Sequence, residues 1–88
     1  MGAGISSKAL YKRVYNRLDK IRRDVNASGG NLTYKNRELN GFVGALPVNI
    51  YYSISYASNG ECAGFLYIWR GGMKMELGDL IKYAKGVK

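Results

Sequence analysis

The stretch from Val48 to Arg70 limits the fold more than any other part of the chain. Val48–Ala57 and Cys62–Arg70 are two runs rich in β-branched and aromatic residues, and Ser58-Asn59-Gly60-Glu61 lies between them. Such a pattern reads as a β-hairpin. An Asn-Gly pair favours a two-residue type I′ loop, because both central positions of that turn need positive φ. The loop then sets Ser58 opposite Glu61 and makes Tyr56/Ala63, Ile54/Phe65, Tyr52/Tyr67 and Ile50/Trp69 cross-strand pairs on one apolar face. The other face receives Ala57/Cys62, Ser55/Gly64, Ser53/Leu66, Tyr51/Ile68 and Asn49/Arg70. A slip of one residue would exchange the two faces of a strand, so the turn type carries much of the prediction.

A lone hairpin is unstable in water and needs a cover. The sequence supplies two helices for it. From Lys8 to about Val25, Leu10, Val14, Leu18, Ile21 and Val25 recur at the helical period and form one apolar stripe, with Tyr11 and Tyr15 on its flank. Ser6 or Ser7 is placed to cap this helix, and the breaker Asn26-Ala27-Ser28-Gly29-Gly30-Asn31 stops it. From Leu77 to about Lys85, Leu77, Leu80, Ile81 and Ala84 repeat the pattern on a shorter scale, with Gly86 as the stop. Between them, Asn31–Pro47 reads as a short helix capped by Thr33 and ended by Gly41. An edge strand over Phe42–Leu46 follows, before Pro47. The alternative, a second hairpin turning at Asn40-Gly41, gives no clean apolar face.

The expected fold class is therefore α+β. A small antiparallel sheet built around the 48–70 hairpin packs against an amino-terminal amphipathic helix (about 8–25) and a short carboxy-terminal helix (about 77–85). At 88 residues the chain is one domain, 1–88, with a flexible tail at about 1–6. A hydrophobic fraction of 47% supplies enough apolar material for a core and argues against disorder. The helix–sheet–helix order resembles that of double-stranded-RNA-binding domains, although that family's loop and second-helix residues are not in this chain.

Most catalytic chemistry is set aside by inventory. There is no histidine, which removes the commonest general base and metal ligand, and Cys62 is the single cysteine. The acids are Asp19, Asp24, Glu38, Glu61, Glu76 and Asp79. Asp19 stands four residues before Arg23, the spacing of an ordinary helix-surface pair. No enzyme, cofactor or metal site is expected. A lone thiol suits a reducing, cytoplasmic setting, including a host cell cytoplasm, better than a secreted one.

Charge is the functional signal. Fourteen Lys and Arg against six Asp and Glu give a formal charge of +8, and the first 26 residues hold seven of the bases and two of the acids. Such an excess draws a protein to polyanions. Lys12, Asn16, Lys20 and Arg23 form one row along the first helix, flanked by Arg13 and Arg17. A row of this kind can follow a phosphate backbone, releasing counterions as it binds. Tyr51 with Arg70, and Lys74 beyond the Gly71-Gly72 pair, make a secondary binding surface at the sheet. The expected function is a non-enzymatic basic protein that engages nucleic acid or an acidic protein or nucleoprotein surface, in the manner of a virus- or phage-encoded regulator or inhibitor of host machinery.

Two other classes fit the same residues. Met1-Gly2-Ala3-Gly4-Ile5-Ser6 matches the N-myristoylation pattern, with Gly2 as the acylated residue and the basic helix as the second membrane signal. A membrane partner follows only if Gly2 is acylated, giving a matrix-like surface protein. The remaining class is a structural subunit of a capsid or ribonucleoprotein assembly, which would use exposed aromatic residues to pack against neighbours.

Overall fold

Hydrophobic periodicity and turn chemistry shape a two-layer α+β domain in a computed structural model that describes residues 7–86. Gly2 and the tail expected at 1–6 lie outside the described residues. Helix α1 runs Ser7–Ser28, and the strands are β1 Asn31–Lys35, β2 Glu38–Val43, β3 Leu46–Tyr56, β4 Cys62–Arg70 and β5 Met73–Lys74. Helix α2, Leu77–Gly86, closes the described chain. The strands form one antiparallel sheet in the order β1-β2-β3-β4-β5. Both helices pack on the same face of it, and the other face is left open.

The α1 stripe is the heart of the core. Leu10, Val14, Leu18, Ile21 and Val25 are all buried, against Leu32, Leu39, Val43, Val48, Ile50, Cys62 and Ile68 from the sheet and Leu80 and Ala84 from α2. The helix ends where Gly29 takes φ 126. There the Asn26 side chain grips the start of β1 with both its amide atoms. Its Nδ2 donates to the Leu32 carbonyl (2.9 Å) and its Oδ1 accepts from the Leu32 N–H (2.8 Å).

The expectation of a short helix over 33–40 is overturned. Residues 31–43 form a tight hairpin, β1–β2, with Lys35 opposite Glu38. Asn36 and Arg37 form its two-residue loop with φ of 54° and 66°, the conformation of a type I′ turn. Asn tolerates the left-handed region better than most residues, which makes it an effective turn former without glycine. Leu32 and Tyr34 on β1, and Leu39 and Val43 on β2, then alternate toward α1 with period two. Gly41 sits between them because a Cβ there would collide with the Asn31 carbonyl. Neither a turn at Asn40-Gly41 nor a separate edge strand at 42–46 forms, since β2 spans that pair and the next turn is Gly44-Ala45.

The 48–70 hairpin forms, but its register is one residue from the expected one. The observed pairs are Tyr56/Cys62, Ile54/Gly64, Tyr52/Leu66, Ile50/Ile68 and Val48/Arg70. The cause is the loop. Gly60 has φ 86, whereas Asn59 is not left-handed, so the turn is not type I′. The Gly60 N–H donates to the Ala57 carbonyl (3.0 Å) and the Ala57 N–H to the Glu61 carbonyl (2.8 Å). This is a three-residue loop, a type I turn followed by a left-handed glycine. Asn59 stabilises it from its side chain, with Oδ1 accepting from the Glu61 N–H (3.1 Å). The slip turns β4 over: Cys62, Leu66 and Ile68 face the helices, and Phe65, Tyr67 and Trp69 face away.

Candidate polyanion-binding surface

Helix α1 presents its bases outside the buried stripe, with Arg13 and Arg17 along the stripe's β4 flank. Lys12, Arg13, Asn16, Arg17, Lys20 and Arg23 are all exposed, so the structure leaves the whole predicted row accessible. Its two halves differ in charge. In the second half, Lys20 pairs with Asp24 (3.0 Å), and Asp19 takes both Arg22 (2.8 Å) and Arg23 (3.1 Å). The Arg22 hydrogen bond, with the charges of Arg22 and Arg23, holds the Asp19 carboxyl below its ordinary value. In the first half, Lys8, Lys12, Arg13 and Arg17 have no carboxylate within ion-pair distance among the described residues. The unneutralised positive charge of α1 is therefore concentrated over its amino-terminal turns.

Arg13 and Arg17 also frame a shallow hollow of about 260 Å³ on the β4 side of α1. Leu10, Val14, Tyr52 and Gly64 complete its lining, giving an apolar floor under two guanidinium groups. Gly64 keeps the space open. A Cβ there would sit 3.3 Å from both Ile54 Cδ1 and Tyr52 Cδ2. Burial pushes the Tyr52 phenol up, and the Arg17 guanidinium opposes that shift. On the opposite flank, Tyr11 reaches the Tyr56 hydroxyl (3.1 Å) and lies 4.2 Å beneath the Arg37 guanidinium.

The secondary surface divides. Tyr51 and Lys74 lie on the open face of the sheet, joined through Tyr67. The Tyr51 and Tyr67 rings stack at 5.7 Å, Lys74 Nζ lies 5.0 Å from the Tyr67 centroid, and Trp69 Nε1 donates to the Tyr51 hydroxyl (3.3 Å). Arg70 lies on the helix side instead. Its Nε donates to the Val43 carbonyl (3.1 Å) and its guanidinium stacks 4.2 Å over Tyr83 of α2, so it joins β2, β4 and α2. The one-residue slip separates it from Tyr51, because Arg70 opposes Val48 and not Asn49.

The same slip exposes Phe65, which the expected register had placed on the apolar face with Tyr67 and Trp69. Phe65 is more than half exposed on the open face, where Tyr67 and Trp69 accompany it, and Phe42 of β2 is likewise more than half exposed. Their signal was the alternation Phe65-x-Tyr67-x-Trp69, which marks one face of a strand without saying which. Asn49, opposite Trp69 on this face, donates to Glu38 Oε1 (2.6 Å) and Asn40 Oδ1 (2.9 Å).

Comparison with known proteins adds no relative. No family model matches the chain, and no curated protein and no solved structure matches it. The functional reading therefore rests on the surface itself. Cys62 is buried in the core beneath α1. Among the described residues, no three potential metal ligands converge, and no helix is long and apolar enough to cross a membrane.

Proposed function

We propose that this chain is a non-enzymatic binding protein that engages nucleic acid through the amino-terminal half of α1. One observation carries the reading: four cations, Lys8, Lys12, Arg13 and Arg17, occupy consecutive turns with no acidic partner among the described residues, while the bases farther along the helix are held in ion pairs. A solubilising face has no need to segregate its charge in this way. The four span about 14 Å of helix, a length over which a duplex backbone offers several phosphates. Lys20 and Arg23 contribute less, because each would have to leave a carboxylate to contact a phosphate.

The test is fluorescence anisotropy of labelled duplex and single-stranded DNA and of RNA, titrated from about 50 to 200 mM salt. Four duplex contacts give a log–log salt slope of about −3.6, and Arg13→Ala/Arg17→Ala lowers its magnitude by about 1.8. Lys20→Ala/Arg23→Ala changes it by much less. Binding without salt dependence, or equal binding by wild type and both variants, overturns the proposal.

A second reading is favoured by the open face, where Phe65, Tyr67 and Trp69 of β4 form an aromatic surface of the kind that packs against neighbours. In this reading the chain is a subunit of a capsid or ribonucleoprotein assembly. Light scattering decides it: a higher oligomer at physiological salt that Phe65→Ser disperses supports it, and a monomer at high concentration rejects it.

A further inference from the structure

Among the described residues, the outer edge of β4 is uncovered over most of its length. β5 pairs only with Trp69 and Arg70, and the Met75 N–H extends the cover by one bond to the Ile68 carbonyl (3.0 Å). Alternate residues of an antiparallel strand direct their backbone groups to opposite sides. The Ala57–Glu61 bond points the odd residues of β4 toward β3, and the Met75 bond points the even residues outward. The N–H and C=O groups of Cys62, Gly64 and Leu66 therefore face out of the sheet, and no described strand pairs with them.

Proteins usually blunt such an edge with Lys, Pro, a bulge or a short strand. β1, at the other edge of the sheet, follows this rule. It is five residues long, ends in Lys35, and is roofed by Tyr15 packed edge-on against Tyr34 at 5.1 Å. Residues Cys62 to Tyr67 of β4 contain no charge and no proline. Above them on the helix side stand Arg13 and Arg17 with the hollow over Gly64, in place of a roofing side chain.

We propose that the β4 edge from Cys62 to Leu66 takes up an acidic, extended segment of a partner protein as an added strand, with carboxylates on its alternate side chains meeting Arg13 and Arg17. Main-chain hydrogen bonds supply the affinity in this mode, and pockets for every second side chain supply the specificity. The hollow at Gly64 is such a pocket, with two cations at its rim. Side chains of the opposite parity lie beside Phe65 on the open face. Charge complementarity selects an acidic partner over a second copy of this chain. Pairing two β4 edges would gather Arg13 and Arg17 of both copies on one side, in molecules that each carry +8. The proposal shares those two arginines with the nucleic-acid surface but depends on the edge, which nucleic acid does not need.

The experiment uses the full chain, amide hydrogen exchange followed by NMR, and short capped peptides. One probe alternates Thr and Glu, one alternates Thr and Lys, and a third has the Thr/Glu composition interrupted by Pro. The Thr/Glu peptide is expected to slow exchange at Cys62, Gly64 and Leu66, and the other two are expected not to. Arg13→Glu/Arg17→Glu weakens its binding by at least about tenfold. Leu66→Pro removes an outward donor and abolishes peptide binding while leaving DNA binding in place, which separates this proposal from the previous one. Should that variant lose its circular dichroism, the exchange pattern of the wild type still decides. Protection on β1, protection at 62–66 that rises with protein concentration alone, or no protection at all overturns the proposal.

Discussion

Asn26 joins two layers of the domain with one side chain, which makes its removal calculable. Asn26→Ala deletes two hydrogen bonds, of 2.8 and 2.9 Å, and strands the N–H and C=O of Leu32, a residue only 2% exposed. A stranded buried polar group costs about 1–3 kcal/mol. The site is partly buried and admits some water, so the lower half of that range applies to each group, a total of about 2–4 kcal/mol. In a domain of this size, each kcal/mol lowers Tm by about 4–8 °C, so a fall of at least about 8 °C is expected. Urea unfolding followed by Trp69 fluorescence gives the free energy, and native-state exchange gives the location. The Leu32 amide should lose protection before those of β3. A loss of stability below about 0.5 kcal/mol would mean that packing of the α1 stripe alone sets the position of β1, and the account given for Asn26 would be wrong.

The register of the 48–70 hairpin predicts opposite responses from two β4 residues. Phe65→Thr, on the open face, should change stability by within about 1 kcal/mol, whereas Ile68→Ala should cost about 2–5 kcal/mol; similar losses in chemical denaturation would restore the register expected from a type I′ loop. Asp19 gives a pH signature. Its carboxyl is held low chiefly by the Arg22 hydrogen bond, so its contribution is present above the unfolded value and disappears as pH falls through the lowered one. Asp19→Asn should flatten that acid-limb loss, as read from denaturation midpoints below about pH 4.

Both helices were legible because their signals are local and redundant. The α1 stripe repeats five times, and each repeat agrees with the others; the helix overruns its expected end only as far as Ser28, where Gly29 stops it. The i,i+4 pair between Asp19 and Arg23 was legible for the same reason. The hairpin at 48–70 was legible as a hairpin, but Asn-Gly serves two loop geometries that differ by one residue in register. Burial could not arbitrate. β4 carries apolar side chains on both faces, Cys62, Leu66 and Ile68 on one and Phe65, Tyr67 and Trp69 on the other, so either register yields a credible core. The 31–47 segment was misread because its turn, Asn36-Arg37, contains no glycine and its strands are short. As for the site, the sequence located the cations of α1, but not the neutralisation of Lys20 or the removal of Arg70 to the helix side, which depend on tertiary placement.

The consecutive strand order has a kinetic consequence. Every strand pairs with its neighbour in the chain, so the sheet assembles through loops of two or three residues, each closed at little entropic cost. The packing of α1 on β3 and β4, and of α2 on α1 and β2, is what must bring together distant parts of the sequence. A chain organised in this way folds quickly for its strand content, because early contacts are local and few pairings wait on a long search. Fast closure shortens the time for which β1, β2 and β3 stand unpaired, whereas the β4 edge from Cys62 to Leu66 meets no described strand even in the folded domain.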